Sequence, residues 1–238
     1  MFDRRLFVPG IIALAGLLTG CGSVPKQAFN AEASPHVKHL AVTQYEEQKD
    51  IGAVVVNHAG NSFGLIGMMV AAVDQNSKTA KLTAALDLEK TRPTTLFHNK
   101  LNAALTAQGY ELMPVALRRD DIEPEIKNKL TAIQGVDANL LVRADASYMA
   151  AGATSDYLPA VNARAEVFDR KEGKLLYREL YAYGFNGAAA KDTVTLPAAP
   201  ECKFTNLDAV VSQAPLARKC LVDGLEAVAQ AIADDLKR

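Results

Sequence analysis

The chain begins with the pattern of an export signal, which decides the compartment in which the remainder folds. A short basic start, Met-Phe-Asp-Arg-Arg, precedes an apolar stretch of thirteen residues, 6–18. A helix needs about 20 apolar residues to span a bilayer. The stretch is therefore too short for a permanent membrane helix and has the length of the apolar region of a signal peptide. We expect the rest of the chain to fold outside the cytoplasm, where thiols oxidise.

The apolar stretch ends in Leu18-Thr19-Gly20-Cys21, which resembles the bacterial lipobox. The resemblance implies that residues 1–20 are a lipoprotein signal peptide and that Cys21 becomes the acylated amino terminus. Acyl chains on one cysteine anchor a protein durably, since each buried CH₂ group contributes about 0.8 kcal/mol. Residue 22 is glycine rather than aspartate, and this resembles the pattern of lipoproteins of the outer membrane that face the periplasm. An ordinary secretory signal with an incidental cysteine is the alternative.

The polar segment after Cys21 shows no sustained strand or helix period. We predict that residues 21–50 are a lipidated tether, which holds a single domain of residues 51–238 away from the lipid surface. His36 and His39 lie in this segment with metal-ligand spacing, but no carboxylate or thiol accompanies them on a predicted helix. We therefore interpret them as solvated tether residues, and the sequence predicts no metal and no other cofactor.

Beyond residue 50 the hydrophobic pattern alternates between strand and helix periods. Val161, Ala163 and Ala165 alternate with polar residues, which is typical of a half-buried strand. Leu221 and Leu225 belong to an apolar stripe at helical spacing. The patterns predict an α+β fold: a mixed sheet with a carboxyl-terminal antiparallel meander, and helices mainly on one face. Predicted strands are 51–57, 110–116, 139–149, 158–169 and 174–185; predicted helices are 63–73, 76–90, 95–109, 121–135 and 215–237.

Two cysteines, Cys202 and Cys220, remain after acylation of Cys21. An even pair in an oxidising compartment favours a disulfide. This bond would fasten the loop predicted at 187–204 to the final helix and stabilise the fold by about 3 kcal/mol. A reactive thiol is the alternative, although no histidine neighbours either cysteine in the sequence.

Residues 60–64 read Gly-Asn-Ser-Phe-Gly, which matches the nucleophile elbow of α/β-hydrolases. That mechanism needs a histidine after the serine, with an acid between them in the chain. Only His98 follows Ser62, and it lies inside a predicted helix, so we predict no catalytic residue. The glycines can instead allow close packing, or the segment can bind an anion or a partner through backbone N–H groups. The residues of that possible loop are Gly60, Ser62, Gly64 and Gly67.

Charge gives a further limit on function. The chain has 26 basic and 27 acidic side chains and a net charge of −1, which argues against a general nucleic-acid-binding protein. Four charged residues on the predicted meander are expected to share one face as cross-strand ion pairs of a solvated surface. These residues are Arg143, Asp145, Arg164 and Glu166.

Four aromatic residues, Tyr177, Tyr181, Tyr183 and Phe185, have odd numbers and are predicted to share one strand face. Two interpretations stay open. The face is either core that meets the helices or, if exposed, an apolar surface for a partner.

Several short motifs together resemble small envelope lipoproteins with a domain like the TolB N-terminal or CsgG-type fold, over residues 50–185. They are Gly64-Leu65-Ile66-Gly67, Gly109-Tyr110-Glu111, Gly135-Val136-Asp137-Ala138 and Asp169-x-x-x-Gly173-x-x-x-Tyr177, combined with the lipobox. The resemblance implies an accessory role in transport or secretion machines and brings no catalytic residues. We therefore predict a membrane-anchored, non-enzymatic periplasmic lipoprotein that binds or organises an envelope protein partner. The alternatives are an envelope serine hydrolase that uses Ser62 and a carrier of an apolar ligand.

Overall fold

Three long strands in the carboxyl-terminal half form the centre of the fold. The computed structural model describes residues 25–57, 64–186 and 192–238, and within 64–73 it describes the backbone only. The strands are β1 (His39–Tyr45), β2 (Gly52–Asn57), β3 (Glu111–Leu117), β4 (Ala138–Gly152), β5 (Tyr157–Asp169), β6 (Leu175–Gly184) and β7 (Val194–Leu196). The helices are α1 (Gly64–Leu86), α2 (Leu88–Thr91), α3 (Pro93–Ala107), α4 (Glu123–Ala132), α5 (Leu207–Ser212) and α6 (Ala214–Asp235), with a 3₁₀ turn at Pro200–Cys202.

The strands form one seven-stranded mixed sheet in the order β3-β1-β4-β5-β6-β7. β4, β5 and β6 pair antiparallel, whereas β1 pairs parallel with both β3 and β4, and β2 pairs parallel with the second half of β4. The predicted α+β class, mixed sheet and antiparallel meander are thus confirmed. The turn between β5 and β6 places Gly173 at a φ of 66°, a conformation that glycine adopts without steric cost.

The predicted boundary between tether and domain is wrong. β1 lies inside the sheet between β3 and β4, with Leu40, Ala41 and Val42 buried. A strand buried on both faces shows a short apolar run rather than alternation, so residues 21–50 contain a strand that period-based reasoning missed. His36 and His39 are likewise held by the fold, through hydrogen bonds to the carboxylates of Asp169, at the end of β5, and Asp137, just before β4.

A side chain bridges the gap between β1 and β2 along the edge of β4. Gln48 accepts a hydrogen bond from the backbone N–H of Ala146 (3.0 Å) and donates one to the carbonyl of the same residue (2.6 Å). The amide thus supplies the bonds that a neighbouring strand would supply. This matters because buried backbone groups without partners are costly.

The amino end of α3 is capped from the same connection. The carboxylate of Glu47 accepts hydrogen bonds from the Thr94 and Thr95 backbone N–H groups, at 2.7 and 3.2 Å. Burial opposes ionisation of Glu47, yet these bonds keep its pKa below the usual value. The two helices predicted at 63–73 and 76–90 also differ from the structure, where α1 runs through residue 76 without a break.

Helices cover one face of the sheet, which we call the covered face. α6 packs on β4, β5 and β6, α1 packs on β2, and α3 packs on α6. Tyr177, Tyr181 and Tyr183 lie in this core, so their interpretation as core is confirmed. Phe185 does not share their face, because Gly184 adopts a φ of 73° and ends the alternation.

The predicted disulfide between Cys202 and Cys220 is confirmed, with the two Cα atoms 5.7 Å apart. It joins the 3₁₀ turn to α6, as the sequence predicted for the loop and the final helix. The loop predicted at 187–204 also contains β7 and this turn. No helix in the described ranges has both the length and the apolarity needed to cross a membrane.

Candidate binding groove on the open face of the sheet

The opposite face of the sheet, the open face, is only partly covered by described residues. α4 closes it over β1 and β3 through a small apolar cluster that includes Val115, Leu117 and Leu130. Over β4, β5 and β6 the described chain leaves a groove with a volume of about 920 Å³. This volume lies in the range typical of ligand sites, so the groove is the candidate functional site.

The groove has an apolar lining supplied by alternate residues of the three strands and by the residue after β6. Because side chains alternate between faces along a strand, each strand sends every second side chain into the groove. Four of the six open-face apolar side chains are partly buried, and Ala182 and Phe185 are buried. The six are Leu141, Met149, Phe168, Leu180, Ala182 and Phe185.

One ionic cluster in the groove is centred on Glu166. Its Oε1 atom accepts hydrogen bonds from Arg164 Nη2 and from Arg178 Nε, both at 2.6 Å. Arg178 lies directly opposite Glu166 in the register of β5 and β6, whereas Arg164 precedes Glu166 by two positions on the same strand. Two guanidinium groups thus share one carboxylate, which leaves this cluster with a net positive charge.

A second ionic cluster is centred on Asp145 of β4. Arg119 donates to it from Nη1 at 2.5 Å and Arg143 donates from Nε at 3.1 Å. Arg119 is fixed by a further bond to the Thr94 hydroxyl at 2.7 Å. The guanidinium of Arg143 also lies over the ring of Tyr45, 5.6 Å from its centroid, in cation–π geometry. This cluster, too, has two guanidinium groups for one carboxylate.

The sequence placed Arg143, Asp145, Arg164 and Glu166 on one face, and the structure confirms that placement. Their pairing differs from the prediction. Arg143 and Arg164 face each other across β4 and β5, so each finds its carboxylate two positions away along its own strand. Two partners, Arg119 and Arg178, were missed by the sequence reasoning. The register set by the turn at Gly173 could have identified Arg178, whereas nothing local indicates Arg119.

Other predicted site residues lie elsewhere or outside the described chain. Cys21, Gly60 and Ser62 fall outside the described residues, so acylation and the serine elbow stay predictions. Gly64 and Gly67 lie in the first two turns of α1 rather than in a loop. His98, the one histidine after Ser62, is buried in α3. Across 25–57, 64–186 and 192–238 no group of three or more His, Cys, Asp or Glu side chains could hold a metal ion.

The chain is only distantly similar to known proteins. No protein-family model and no curated protein matches it. Among solved structures it is similar to protein XCC0632 from Xanthomonas campestris, described under DUF330, with 9% identity, a TM-score of 0.36, and coverage of 84% of this chain and 85% of that one. It is also similar to lipoprotein GNA1162 from Neisseria meningitidis, with 18% identity, a TM-score of 0.26, and coverage of 61% and 81%.

Neither similarity assigns a function to this chain. The resemblance to TolB N-terminal or CsgG-type proteins stays a prediction from the motifs.

Proposed function

We propose that this protein is a lipid-anchored, non-enzymatic binding protein of the bacterial periplasm, and that the groove on the open face is its binding site. The observation that carries the proposal is the groove itself, in which two arginine–carboxylate clusters lie beside apolar side chains of the same surface. The lipobox at Cys21 supports attachment to a membrane, and Gly22 favours the outer membrane.

The composition of the groove favours binding over catalysis. Its described lining contains no His, Cys, Ser or Lys side chain, which are the usual nucleophiles and bases. Glu166 and Asp145 each accept hydrogen bonds from two guanidinium groups. Both carboxylates are thus already engaged by the arginines of their clusters. The groove therefore offers a ligand ion-pairing and apolar contacts, which are the contacts of a binding site.

Photo-crosslinking in intact cells tests this proposal. A benzophenone side chain in place of Leu180 projects into the groove, and one in place of Gln230, an exposed residue of α6, is the matched control. We expect an adduct at Leu180, detected by mass spectrometry of the purified protein, that the Gln230 position does not give. Identical adducts at both positions, or none at Leu180, would contradict a binding site in the groove.

The serine-hydrolase alternative rests on the Gly-x-Ser-x-Gly segment and has its own test. A fluorophosphonate probe labels activated serines covalently. We expect no labelling of the wild-type protein beyond that of the Ser62→Ala variant. Labelling of the wild-type protein that is lost in the Ser62→Ala variant would contradict the binding proposal and support a serine hydrolase.

Membrane attachment is tested by growing cells with radiolabelled palmitate. We expect the label in the wild-type protein and not in the Cys21→Ala variant, and we expect the acylated protein in the outer-membrane fraction of a density gradient. If the wild-type protein carried no label, the proposed lipid anchor at Cys21 would be contradicted.

A further inference from the structure

The amino-terminal segment is fastened to the edge of the groove. The backbone N–H of Gln27 donates to the carbonyl of Arg178 at 3.0 Å, and the N–H of Arg178 donates back to Gln27 at 2.9 Å. The Gln27 side chain adds a bond to the carbonyl of Leu175 at 2.7 Å. Next to it, Lys26 forms an ion pair with the buried carboxylate of Glu179. The chain is thus held against β6 at residues 26 and 27.

This attachment limits how far the groove can stand from the membrane. Gln27 lies six positions after Cys21, and a fully extended chain of that length spans at most about 22 Å. If Cys21 is acylated as proposed, the edge of β6 lies within that distance of the lipid anchor. Arg178, the partner of Gln27, itself lines the groove. The groove therefore lies beside the bilayer surface rather than at the end of a long tether.

The charges of the groove are suited to an anion. Each of the two clusters combines two guanidinium groups with one carboxylate, and Glu123 of α4 is the remaining acidic residue in the described lining. Among described residues, the Nη groups of Arg178 donate to no protein acceptor. The Arg178 side chain is 23% exposed, so these donors stay accessible to a ligand. Guanidinium groups bind phosphate oxygens in bidentate geometry.

The apolar side chains give the same groove an affinity for hydrocarbon. Leu180 neighbours Arg178 on the open face of β6 and lies opposite Arg164, while Phe168 follows Glu166 on the same face of β5. The guanidinium clusters and the apolar lining are therefore contiguous. Burial of each CH₂ group of an acyl chain contributes about 0.8 kcal/mol.

We infer that the groove binds an anionic phospholipid of the bilayer, with the phosphate at Arg164 and Arg178 and an acyl chain along Leu180 and Phe168. This inference rests on the proposed function, and it specifies the class of ligand. The groove lies near the acylated end of the chain, so lipid of the bilayer is within its reach. The guanidinium groups favour an anionic headgroup, and the apolar lining contacts the acyl chain. A soluble anion matches the clusters alone and leaves the apolar lining uncovered.

The test is a binding titration with the full-length acylated protein in an uncharged detergent. The two probes are phosphatidylglycerol and phosphatidylcholine that carry the same fluorescent acyl chain. We expect phosphatidylglycerol to bind about tenfold more tightly. Arg164→Gln and Arg178→Gln, tested singly so that Glu166 keeps one partner, should each remove most of this difference. Both lipids carry a phosphate, but only phosphatidylglycerol has a net negative charge, so its affinity should fall more than that of phosphatidylcholine. Leu180→Asp should abolish binding of both lipids.

Arg118→Gln is the matched control, because Arg118 is an exposed arginine outside the groove that pairs with Asp120. It should leave both affinities unchanged. A thermal melt of every variant confirms that it is folded. Equal affinities for the two lipids, or an equal effect of Arg118→Gln and Arg178→Gln, would overturn the inference.

The photo-crosslinking experiment separates this inference from the proposed function. A lipid adduct with an anionic headgroup at position 180 supports both. A protein adduct, or a lipid adduct with a zwitterionic headgroup, keeps the groove as a binding site and overturns its assignment to anionic phospholipid. No adduct at position 180 contradicts both.

Discussion

On β5, Ala165 and Val167 face the helices, whereas Arg164 and Glu166, on the same strand, face the groove. The two faces of the meander thus come from interleaved residues but have different chemistry. The covered face is a core of tyrosines and aliphatic side chains under α6, and the open face has ion pairs on a partly exposed apolar lining. This difference indicates that the covered face supplies the stability of the fold, which leaves the open face available for binding.

Two buried tyrosine hydroxyls on the covered face form hydrogen bonds with α6 and the residue after it. The hydroxyl of Tyr148 donates to the carbonyl of Ala217 at the start of α6 (2.8 Å), and the hydroxyl of Tyr110 donates to Leu236 at its end (2.7 Å). Burial raises the pKa of Tyr110 to about 12 despite the nearby Arg238. These bonds fix α6 at both ends, because a buried hydroxyl without a partner costs roughly 1–3 kcal/mol.

A matched pair of leucine substitutions gives the largest expected contrast between the faces. Leu221 of α6 is fully buried on the covered face, so Leu221→Ala should lower the free energy of unfolding by about 2–5 kcal/mol. Leu180 is partly buried in the groove, so Leu180→Ala should cost less than about 1 kcal/mol. Urea denaturation of both variants measures these changes. Equal losses would show that the open face is also packed core.

The buried histidine on the helix side should make stability sensitive to mild acid. Burial, with a smaller effect of the nearby Arg119 guanidinium, lowers the pKa of His98 to about 4, although Glu47 opposes the shift. Below about pH 6.5 the unfolded chain binds a proton at this residue, and the folded chain does not until about pH 4. Stability should therefore fall by about 3 kcal/mol as pH decreases through that window.

Urea denaturation between pH 7 and pH 4 measures this dependence. His98→Gln should flatten it. Phe97→Leu is the control, because Phe97 contacts the His98 ring edge-to-face and its loss destabilises the core without removing the titrating group. An unchanged slope in His98→Gln would assign the pH dependence to other residues.

The disulfide should contribute about 3 kcal/mol to stability, since it closes a loop with a sequence separation of 18 residues. Both cysteines are buried. We expect the double variant Cys202→Ser and Cys220→Ser to unfold at a lower urea concentration, and the wild-type protein treated with reductant to behave in the same way. Wild-type unfolding that does not respond to reductant would contradict this contribution.

Local periodicity predicted much of the fold. The alternation along 158–169 and the apolar stripe of 215–237 identified β5 and α6, because each reflects one buried face of its own element. β1 was missed because both of its faces are buried in the sheet, and β7 was missed because it has three residues. The cap of α3 has no local signal, because Glu47 supplies it from a distant part of the chain.

The candidate site was predicted only in part, because local periodicity places side chains on a face but does not identify their neighbours in space. Strand alternation alone placed Arg164 and Glu166 on one face, but their pairing depends on neighbours in space. Arg119 reaches Asp145 from the loop after β3, and no local pattern in the sequence encodes that contact. The groove itself depends on how far α4 extends across the sheet, which is a property of packing rather than of any one element.

The smallest effect on stability is expected for Arg164→Gln, although this variant is predicted to have a large effect on lipid binding. The Arg164 side chain is 52% exposed, and exposed ion pairs contribute about 0–1 kcal/mol. Glu166 keeps its bond to Arg178 at 2.6 Å in the variant, so no carboxylate is left unpaired. Urea denaturation should therefore show almost no change. A loss comparable to that of Leu221→Ala would mean that the ionic clusters hold the sheet together, and the division between a stabilising face and a binding face would fail.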